Sequence, residues 1–456
     1  MKIKKLDKIR KLLDKLLEEN ARPLIVGGAV RDMLLNKEPK DIDVEVFCME
    51  IEKLESILSQ FGKVDLVGRC FGILKLKIED EEFDFSIPRK EIKSREGHGG
   101  FKIELDREMT EKAAASRRDF TINALMFDPA TTEVIDFFGG VRDLKDGILR
   151  HVSDAFSEDP LRVLRGMQFA SRFNMEMAEE TIELCKGLFK EAETLAKERI
   201  WMEWEKWALK SDKPSIGLEV LRKTGWIKML PELEVLIGCP QDSEWHPEGD
   251  VWNHTLLVVD KAAEIAKRDG LVGNDRLAMI FSALFHDVGK ASTTKICEED
   301  GRIRSPRHDT VGAKISVGAM TKIGGSVQII KRIEILISRH MVRFKKVTPR
   351  IIRRLSYKLA ESDETIEMLV RLGEADKRDK GLPEGFAELL TVADDMELNN
   401  TFPQPILMGR HLLKLGLKPG PEIGEILKKA FEAQLDGEFE NLKGAFKWFK
   451  HTLFSL

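Results

Sequence analysis

Apolar and polar positions change rhythm along this chain near residue 150. Before it, the short runs PLIVGG, DIDVEVF, FGILKLKI, EEFDFSI and EVIDFF are apolar throughout or alternate apolar with polar, and Gly and Pro interrupt them. That is the pattern of strands. After it, apolar residues recur at three- and four-residue spacing almost to the end, as in helices that bury one stripe. The prediction is an α+β head followed by an all-α body. The first residues, MKIKKLDKIRKLLDKLLEEN, mix acids with bases at helical spacing. They predict an amphipathic surface helix and not a signal or transit peptide. Breaks rich in Pro, Gly and acids fall at KSDKPS, GCPQDSEWHPEGD and KRDKGLPEG. Between 89 and 116, RKEIKSREGHGGFKIELDREMTEKAAAS is charged and glycine-containing, and it predicts a long functional loop instead of a core element.

Composition narrows the classes. A chain of 456 residues exceeds one ordinary core and implies about three or four modules. With 42% apolar and 33% charged residues it is globular and not disordered. The formal net charge is only −4, so a nucleic-acid footprint has to be local. The five cysteines, Cys48, Cys70, Cys185, Cys239 and Cys297, contain no CxxC pair. They argue for reduced thiols in a cytoplasm and against a disulfide frame or a thiolate zinc site. No apolar run approaches the roughly 20 residues of a membrane span.

The stretch RPLIVGGAVRDMLLNKEPKDIDVEVF carries the first chemistry. In an alternating strand Asp41 and Asp43 project to one side, roughly 6–7 Å apart at Cα. Two such carboxylates can hold two Mg²⁺ ions about 4 Å apart, the clamp that activates a hydroxyl and stabilises a leaving pyrophosphate. Gly27 and Gly28 let backbone N–H groups approach a triphosphate, and Arg31 offers a fork to its oxygens. The run AVRDMLL continues as a helix whose positive end would face phosphate. Asp84, between Phe83 and Phe85, is the candidate third carboxylate, polarising the attacking hydroxyl.

Two further stretches add to this site. In SRRDFTINALMFDP, Arg118 can reach phosphate and Asp119 can accept from a ribose hydroxyl, with Asn123 close by in sequence. SEDPLRVLRGMQFASRF opens a helix with Ser157 or Asp159 as cap and Pro160 in its first turn. Asp159, Arg162 and Arg165 follow one another at three-residue spacing and lie near one another along it. Cytosine and adenine each show an amine donor beside a ring-nitrogen acceptor, so Asp159 can accept from the amine while Arg162 donates to the ring nitrogen. Uracil and guanine place a carbonyl oxygen against the carboxylate, which costs about 1–3 kcal/mol or more.

These residues resemble a known family. LIVGGAVRD…DIDVEVF, RRDFTINAL and EDPLRVLRGMQFASRF are similar to the bacterial-type (class II) tRNA nucleotidyltransferases and poly(A) polymerases of the polymerase-β superfamily. AKERIWMEWEKWALKSDKPSIGLEVLRKTGWIKMLPEL resembles their RNA-binding neck, and QPILMGRHLLKLGLKPGPEIGEILKKAFEAQLDGE their tRNA-gripping body. The resemblance implies template-free addition of CCA to tRNA from CTP and ATP. Gly28 and Arg31 then contact the nucleotide, Asp41 and Asp43 bind Mg²⁺, and Arg118, Asp159, Arg162 and Arg165 contact CTP or ATP. It also implies RNA contact by basic stretches such as KERIWMEWEK. Gln168 departs from relatives that carry an arginine there. LVGRCFGILKL sides with the tRNA enzymes over poly(A) polymerases, and the charged stretch 89 to 116 resembles the element used in the C-to-A switch. Full CCA addition is expected ahead of A-only addition with a separate CC-adding partner.

A second constellation runs through HPEGDVWNHTLLVV, SALFHDVGK, SPRHDTVGA, ILISRHMVRF and LGEADKRD. His254, His286, Asp287, His340 and Asp376 are expected to hold an ion, with His308 as a further ligand and Gly289 permitting the turn. Imidazole with carboxylate suits Zn, Ni, Mn or Fe. The pattern resembles HD-family phosphohydrolases and implies hydrolysis of 2′,3′-cyclic or terminal phosphates. The expected layout is a head at 1–150, a neck at 151–240, an HD domain at 241–380 and a C-terminal body at 381–456. Two other architectures compete. A phosphohydrolase with a regulatory nucleotide-binding head has no need of the Asp41/Asp43 clamp, and a stringent-response synthetase-hydrolase places its hydrolase first.

Overall fold

The alternating runs of the first 150 residues fold into one seven-stranded sheet. Its strands are β1 (Arg22–Val26), β2 (Ile42–Phe47), β3 (Lys63–Asp65), β4 (Ile73–Ile78) and β5 (Glu81–Ser86). After a separate antiparallel hairpin, β6 (Arg89–Lys93) and β7 (Phe101–Leu105), come β8 (Met126–Asp128) and β9 (Glu133–Ile135). The spatial order is β3-β4-β5-β2-β1-β8-β9, with β2 and β5 parallel and the other pairs antiparallel. The computed structural model describes residues 4–66, 68–69, 72–93, 101–342, 344, 346–377, 381–382 and 385–454.

Both faces of β1 are covered, which explains its unbroken apolar run. Ile25 joins Val44, Phe83 and Phe85 on one face, with Ile9, Leu12, Leu13 and Leu16 of the helix Lys4–Glu18 packed on them. Leu24 and Val26 face a smaller cluster with Phe47, Ala115 and Met126. Each such side chain contributes about 1.5–3 kcal/mol on burial. In β2 the alternation sends Ile42, Val44 and Val46 into the core and leaves Asp43 and Glu45 half-buried on the other side. Asp43 stands directly opposite Asp84 across the parallel β2–β5 pair.

The charged stretch after residue 88 is not simply a loop. FKIEL alternates well enough to pair with RKEIK, Arg89 opposite Leu105, and Glu111–Ser116 is a helix capped by Thr110, whose Oγ1 accepts from Ala113 N at 3.3 Å. Residues 94–100 of that stretch lie outside the described residues.

Contacts divide the chain into two units, Met1–Ser211 with Ile216–Met229, and Asp212–Ser215 with Leu230–Leu456. In the first, helices Leu161–Phe173 and Lys197–Lys210 pack on each other beyond the sheet. Phe120 sits edge-on to both Phe156 and Phe169, at 5.4 and 5.8 Å between ring centres, and fixes where helix 161–173 begins.

The second unit is built on helices Val251–Arg268, Gly273–Phe285, His308–Ile323, Val327–Arg339 and Ile366–Lys377. From Leu277 to Phe285 every residue is buried, so helix 273–285 is the central one. Buried Arg332 donates to Glu364 at 2.6 Å and to Asp275 at 2.7 Å. Removing one member of a buried ion pair strands the other, so Arg332→Met is expected to cost about 3–5 kcal/mol by denaturant unfolding. Adding Glu364→Gln should recover much of the loss; no recovery would mean that packing, and not charge, sets the cost. Further on, Leu412, Ala433 and Phe449 of the last three helices, with Leu407 and Phe439 from the segments beside them, form their own cluster. Among the described residues no helix is long and apolar enough to cross a membrane.

Candidate active site and candidate metal centre

The strands that carry the acids set the first site. β1 ends at Val26, paired with Asp43, so Gly27 and Gly28 begin level with that carboxylate. Gly27 has φ +72°, and a Cβ on it would lie 2.8 Å from Arg118 Nη1. Only glycine combines that backbone with the arginine's passage. Arg118 also pairs with Glu45 at 3.3 Å.

Burial raises the carboxyl of Asp43 above the ordinary range; Arg118 opposes this, and the charges of Asp84 and Asp41 add to it. Asp84 itself meets Lys75 of β4 at 3.1 Å. Asp41, just ahead of β2, is exposed. These three carboxylates crowd one another around the first half of β2, beside β5 in the middle of the sheet, and this acid edge, a like-charged cluster of oxygen donors, is the donor set that Mg²⁺ takes. They are not among the tight ligand groups with atoms within 4.8 Å of one another, all of which lie in the second unit among the described residues.

Asp43 opens onto a cleft of about 520 Å³ that is also lined by Gly27, Gly28, Arg31, Arg118, Asp119, Asn123, Asp159, Arg162 and Arg165. The structure thus brings together every predicted nucleotide-site residue of the first unit except Asp41 and Asp84, which belong to the acid edge beside Asp43. Several are already engaged. Arg31 is buried; it donates to Asp32 Oδ1 at 2.7 and 2.9 Å and to Asn123 Oδ1 at 2.5 Å, and its guanidinium lies 4.3 Å from the Phe173 ring centre. Asn123 passes the connection to Asp119 at 3.0 Å, and Arg165 donates to Asp119 at 2.8 Å. Burial would raise Asp119, but Arg165 and then Asn123 outweigh it and leave it below the ordinary value. A fixed polar chain, Asp32–Arg31–Asn123–Asp119–Arg165, therefore ties the start of the head to helix 161–173.

Asp159 and Arg162 are held as well. Asp159 Oδ1 accepts from Leu161 N at 3.1 Å and Oδ2 from Arg199 Nη2 at 2.8 Å. Arg162 donates to the carbonyls of Ala155 at 2.7 Å and Arg117 at 2.9 Å, two of the five N–H groups a guanidinium has. Gln168 is 2% exposed, and its Nε2 has no hydrogen-bond partner.

In the second unit all six predicted residues converge. His254 lies on helix 251–268; His286 and His340 are the C-terminal caps of helices 273–285 and 327–339. Asp376 sits in the last turn of helix 366–377, and His308 opens helix 308–323. A Cβ on Gly289 would fall 2.2 Å from the carbonyl of His308, so the turn after Asp287 tolerates no side chain there.

Hydrogen bonds assign the tautomers. Nδ1 of His286, His308 and His340 faces the carbonyl three residues back (Ala283 at 2.8 Å, Ser305 at 2.7 Å and Ile337 at 2.7 Å), and a carbonyl can only accept. Nδ1 of His254 donates to Glu248 at 2.8 Å. Each ring, when neutral, then presents its Nε2 lone pair inward. Without a cation the burial of His286 is outweighed by Asp287 and Asp376, which raise it to about 10, and a bound metal would displace that proton. Those lone pairs meet other acceptors: His254 and His286 Nε2 are 3.3 Å apart, and His308 Nε2 is 3.2 Å from Asp287 Oδ1. Nε2 of His308 and of His340 is buried without a hydrogen-bond partner. Acceptors face to face at that distance call for a cation between them, so the residues fit a metal. The groups His254–His286–Asp287 and Asp287–His308–His340 share Asp287. Burial drives the His340 imidazole down to about 4, the neutral form a ligand needs.

Four helpers escape sequence reasoning. Glu45 and Arg199 act across the fold, with no local signal beyond a third acid in the DIDVEV alternation and a base in KERIW. Glu248 sits in HPEGD and also meets His246 at 3.1 Å. Lys290, three residues past Asp287, contacts it at 2.6 Å and Gln241 at 2.7 Å. Beside the centre, His246, His308, Lys290, Arg302 and Trp245 help to line a pocket of about 570 Å³.

A mixed sheet with acids on its central strands, joined to helices and followed by a His/Asp centre, defines a nucleotidyltransferase-type head and an HD domain. The comparisons agree: residues 24–150 match the poly A polymerase head domain, 174–237 the probable RNA and SrmB-binding site of polymerase A, and 251–377 the HD domain. The multifunctional CCA protein of Neisseria meningitidis (serogroup C, strain FAM18) is 39% identical over 303 residues, 62% of this chain and 69% of that protein. That of Stenotrophomonas maltophilia is 41% identical over 275 residues, 59% of this chain and 64% of that protein. The chain belongs to the multifunctional CCA protein family. Its fold also matches the Bacillus stearothermophilus CCA-adding enzyme in complex with CTP, with TM-score 0.65, 18% identity and coverage of 100% of this chain and 99% of that one. The Thermotoga maritima CCA-adding enzyme complexed with tRNA gives TM-score 0.59 at 20% identity, covering 99% and 96%.

Proposed function

We propose that this chain is a cytoplasmic enzyme that adds CCA to the 3′ end of tRNA from CTP and ATP without a nucleic-acid template, and that its HD domain is a metal-dependent phosphohydrolase. The observation that carries the first part is a single cleft lined by both Asp43, beside the acid edge, and the Asp159–Arg162 pair. Asp41 and Asp43 would hold Mg²⁺, which when bound supplies activation of the tRNA 3′-hydroxyl and neutralises the leaving pyrophosphate. Asp84, opposite Asp43, would polarise the attacking hydroxyl. The backbone at Gly27 and Gly28 admits the triphosphate, and Arg118 and Arg31 supply positive charge to it. Asn123 and Asp119 keep Arg31 and Arg165 in place.

Selection of the base falls to Asp159, accepting from the exocyclic amine, and Arg162, donating to the ring nitrogen. The basic neck and C-terminal body contact tRNA.

In the HD domain, His254, His286, Asp287, His308, His340 and Asp376 would hold a transition metal (Zn, Ni, Mn or Fe), which when bound activates water toward a phosphate ester. Glu248 orients His254, and Lys290 holds Asp287.

The test supplies Mg²⁺, CTP and ATP with tRNA transcripts ending before CCA, at C, or at CC. All three are expected to grow to CCA on a sequencing gel. Extension of the CC transcript alone would make this an A-adding enzyme, and no extension would overturn the transferase reading.

A further inference from the structure

Rejecting uracil or guanine with a carboxylate works only if the carboxylate cannot turn away. A mobile Asp159 facing a mismatched carbonyl would rotate toward water and escape the unpaired-charge penalty that rejects the base. In the structure it is anchored on both oxygens: Leu161 N donates to Oδ1 at 3.1 Å, and Arg199 Nη2 to Oδ2 at 2.8 Å. Arg199 reaches it from helix 197–210, which packs along helix 161–173, and both residues line the same cleft. The first anchor belongs to the backbone and is present whatever the side chains. The second is a charge-assisted bond about twice as strong as a neutral one, and it is supplied from another helix.

We propose that Arg199 is a positioning residue for nucleotide choice: it pins the Asp159 carboxylate so that the amine of cytosine or adenine meets a prepared acceptor and the carbonyl of uracil or guanine meets a charge that cannot move. The inference rests on the Asp159–Arg162 template reading above. A carboxylate accepts about four hydrogen bonds, so an anchored oxygen can still accept from a base. Arg199 is 39% exposed in its side chain, whereas Ile200, Trp204 and Trp207 on the same helix are buried.

The test compares CTP with UTP on transcripts ending before CCA, and ATP with GTP on transcripts ending at CC, in the wild type, Arg199→Gln, Arg199→Lys and Asp159→Asn. Equilibrium binding of the four triphosphates is measured alongside. Arg199→Gln is expected to lower the preference for CTP over UTP by about tenfold or more, the scale of one hydrogen bond to a charged group, while KM for tRNA stays within about twofold. Arg199→Lys should regain part of the preference, and it carries the test should the glutamine variant not fold. Arg199 has no part in selection if its variants keep the preference while Asp159→Asn loses it. A raised KM for tRNA with preference intact would make Arg199 an RNA contact. An equal loss for all four nucleotides would make it a structural residue. If Asp159→Asn also keeps the preference, the template reading itself fails and the inference with it.

Discussion

Replacing Asp43 by Asn lowers CMP and AMP transfer by about a thousandfold or more, and Asp41→Asn does the same, while tRNA binding at fixed salt stays within about twofold. The expected size follows from the role: charge neutralisation at the reacting phosphate is worth several kcal/mol, and each 1.36 kcal/mol is a factor of ten. Asparagine keeps the shape of the side chain, so β2 and its buried Ile42, Val44 and Val46 are undisturbed. It also relieves the crowding of Asp43 by Asp84 and Asp41, so the variant should fold at least as stably. Loss of transfer with unchanged unfolding is the signature of a metal clamp; retained transfer would remove Asp43 from the chemistry. A pH profile adds a second check. Burial raises Asp43 above the ordinary carboxylate range, so its ionised, ion-binding form is lost at a higher pH on the acid side than an exposed aspartate's would be.

The second large effect lies in the other unit. Asp287→Asn should abolish hydrolysis of 2′,3′-cyclic AMP assayed with added Ni²⁺, Mn²⁺ or Zn²⁺, and leave CCA addition unchanged. Asp287 is the residue common to two ligand groups, and it also contacts Lys290. His340→Ala is the companion: its Nε2 is the buried lone pair with least other employment, so its loss should weaken metal retention without removing an ion pair at normal distance. Hydrolysis that survives both would leave the centre a structural metal site.

The His/Asp cluster was legible because each of its six residues sits on a helix or at a helix end and falls in a short local pattern of its own, His286 and Asp287 sharing one. The acid edge was legible for a related reason: strand alternation places Asp43 and Glu45 on one side, and the same alternation brings Asp84 opposite. Arg31 shows where such reading stops. Sequence presents it as an open fork for phosphate, yet it is buried against Phe173, with Asp32 and Asn123 on its donors. Arg199 shows the same limit from the other side. Its basic stretch reads as an RNA contact, and only the packing of helix 197–210 along helix 161–173 puts it on Asp159, 40 residues away in sequence. The pairing of residues 89–93 with 101–105 was hidden because their charge masks a weak alternation.

Three helices end at the HD centre, two of them capped by the very histidines that turn lone pairs inward, with Asp376 in the last turn of the third. A helix end of that kind carries about half a negative charge. Folding this unit therefore gathers three negative helix ends, against the positive end of helix 308–323 at His308, beside the carboxylates of Asp287 and Asp376, and a bound cation offsets the surplus of negative charge. Metal occupancy and thermal tolerance become one linked equilibrium: at an ion concentration about a hundred times its dissociation constant, binding adds about 2.7 kcal/mol to the folded state. Chelation should lower the melting temperature of the second unit and leave the first where it was. A cell short of that metal would then lose the hydrolase half through turnover of the protein, not merely through an idle active site.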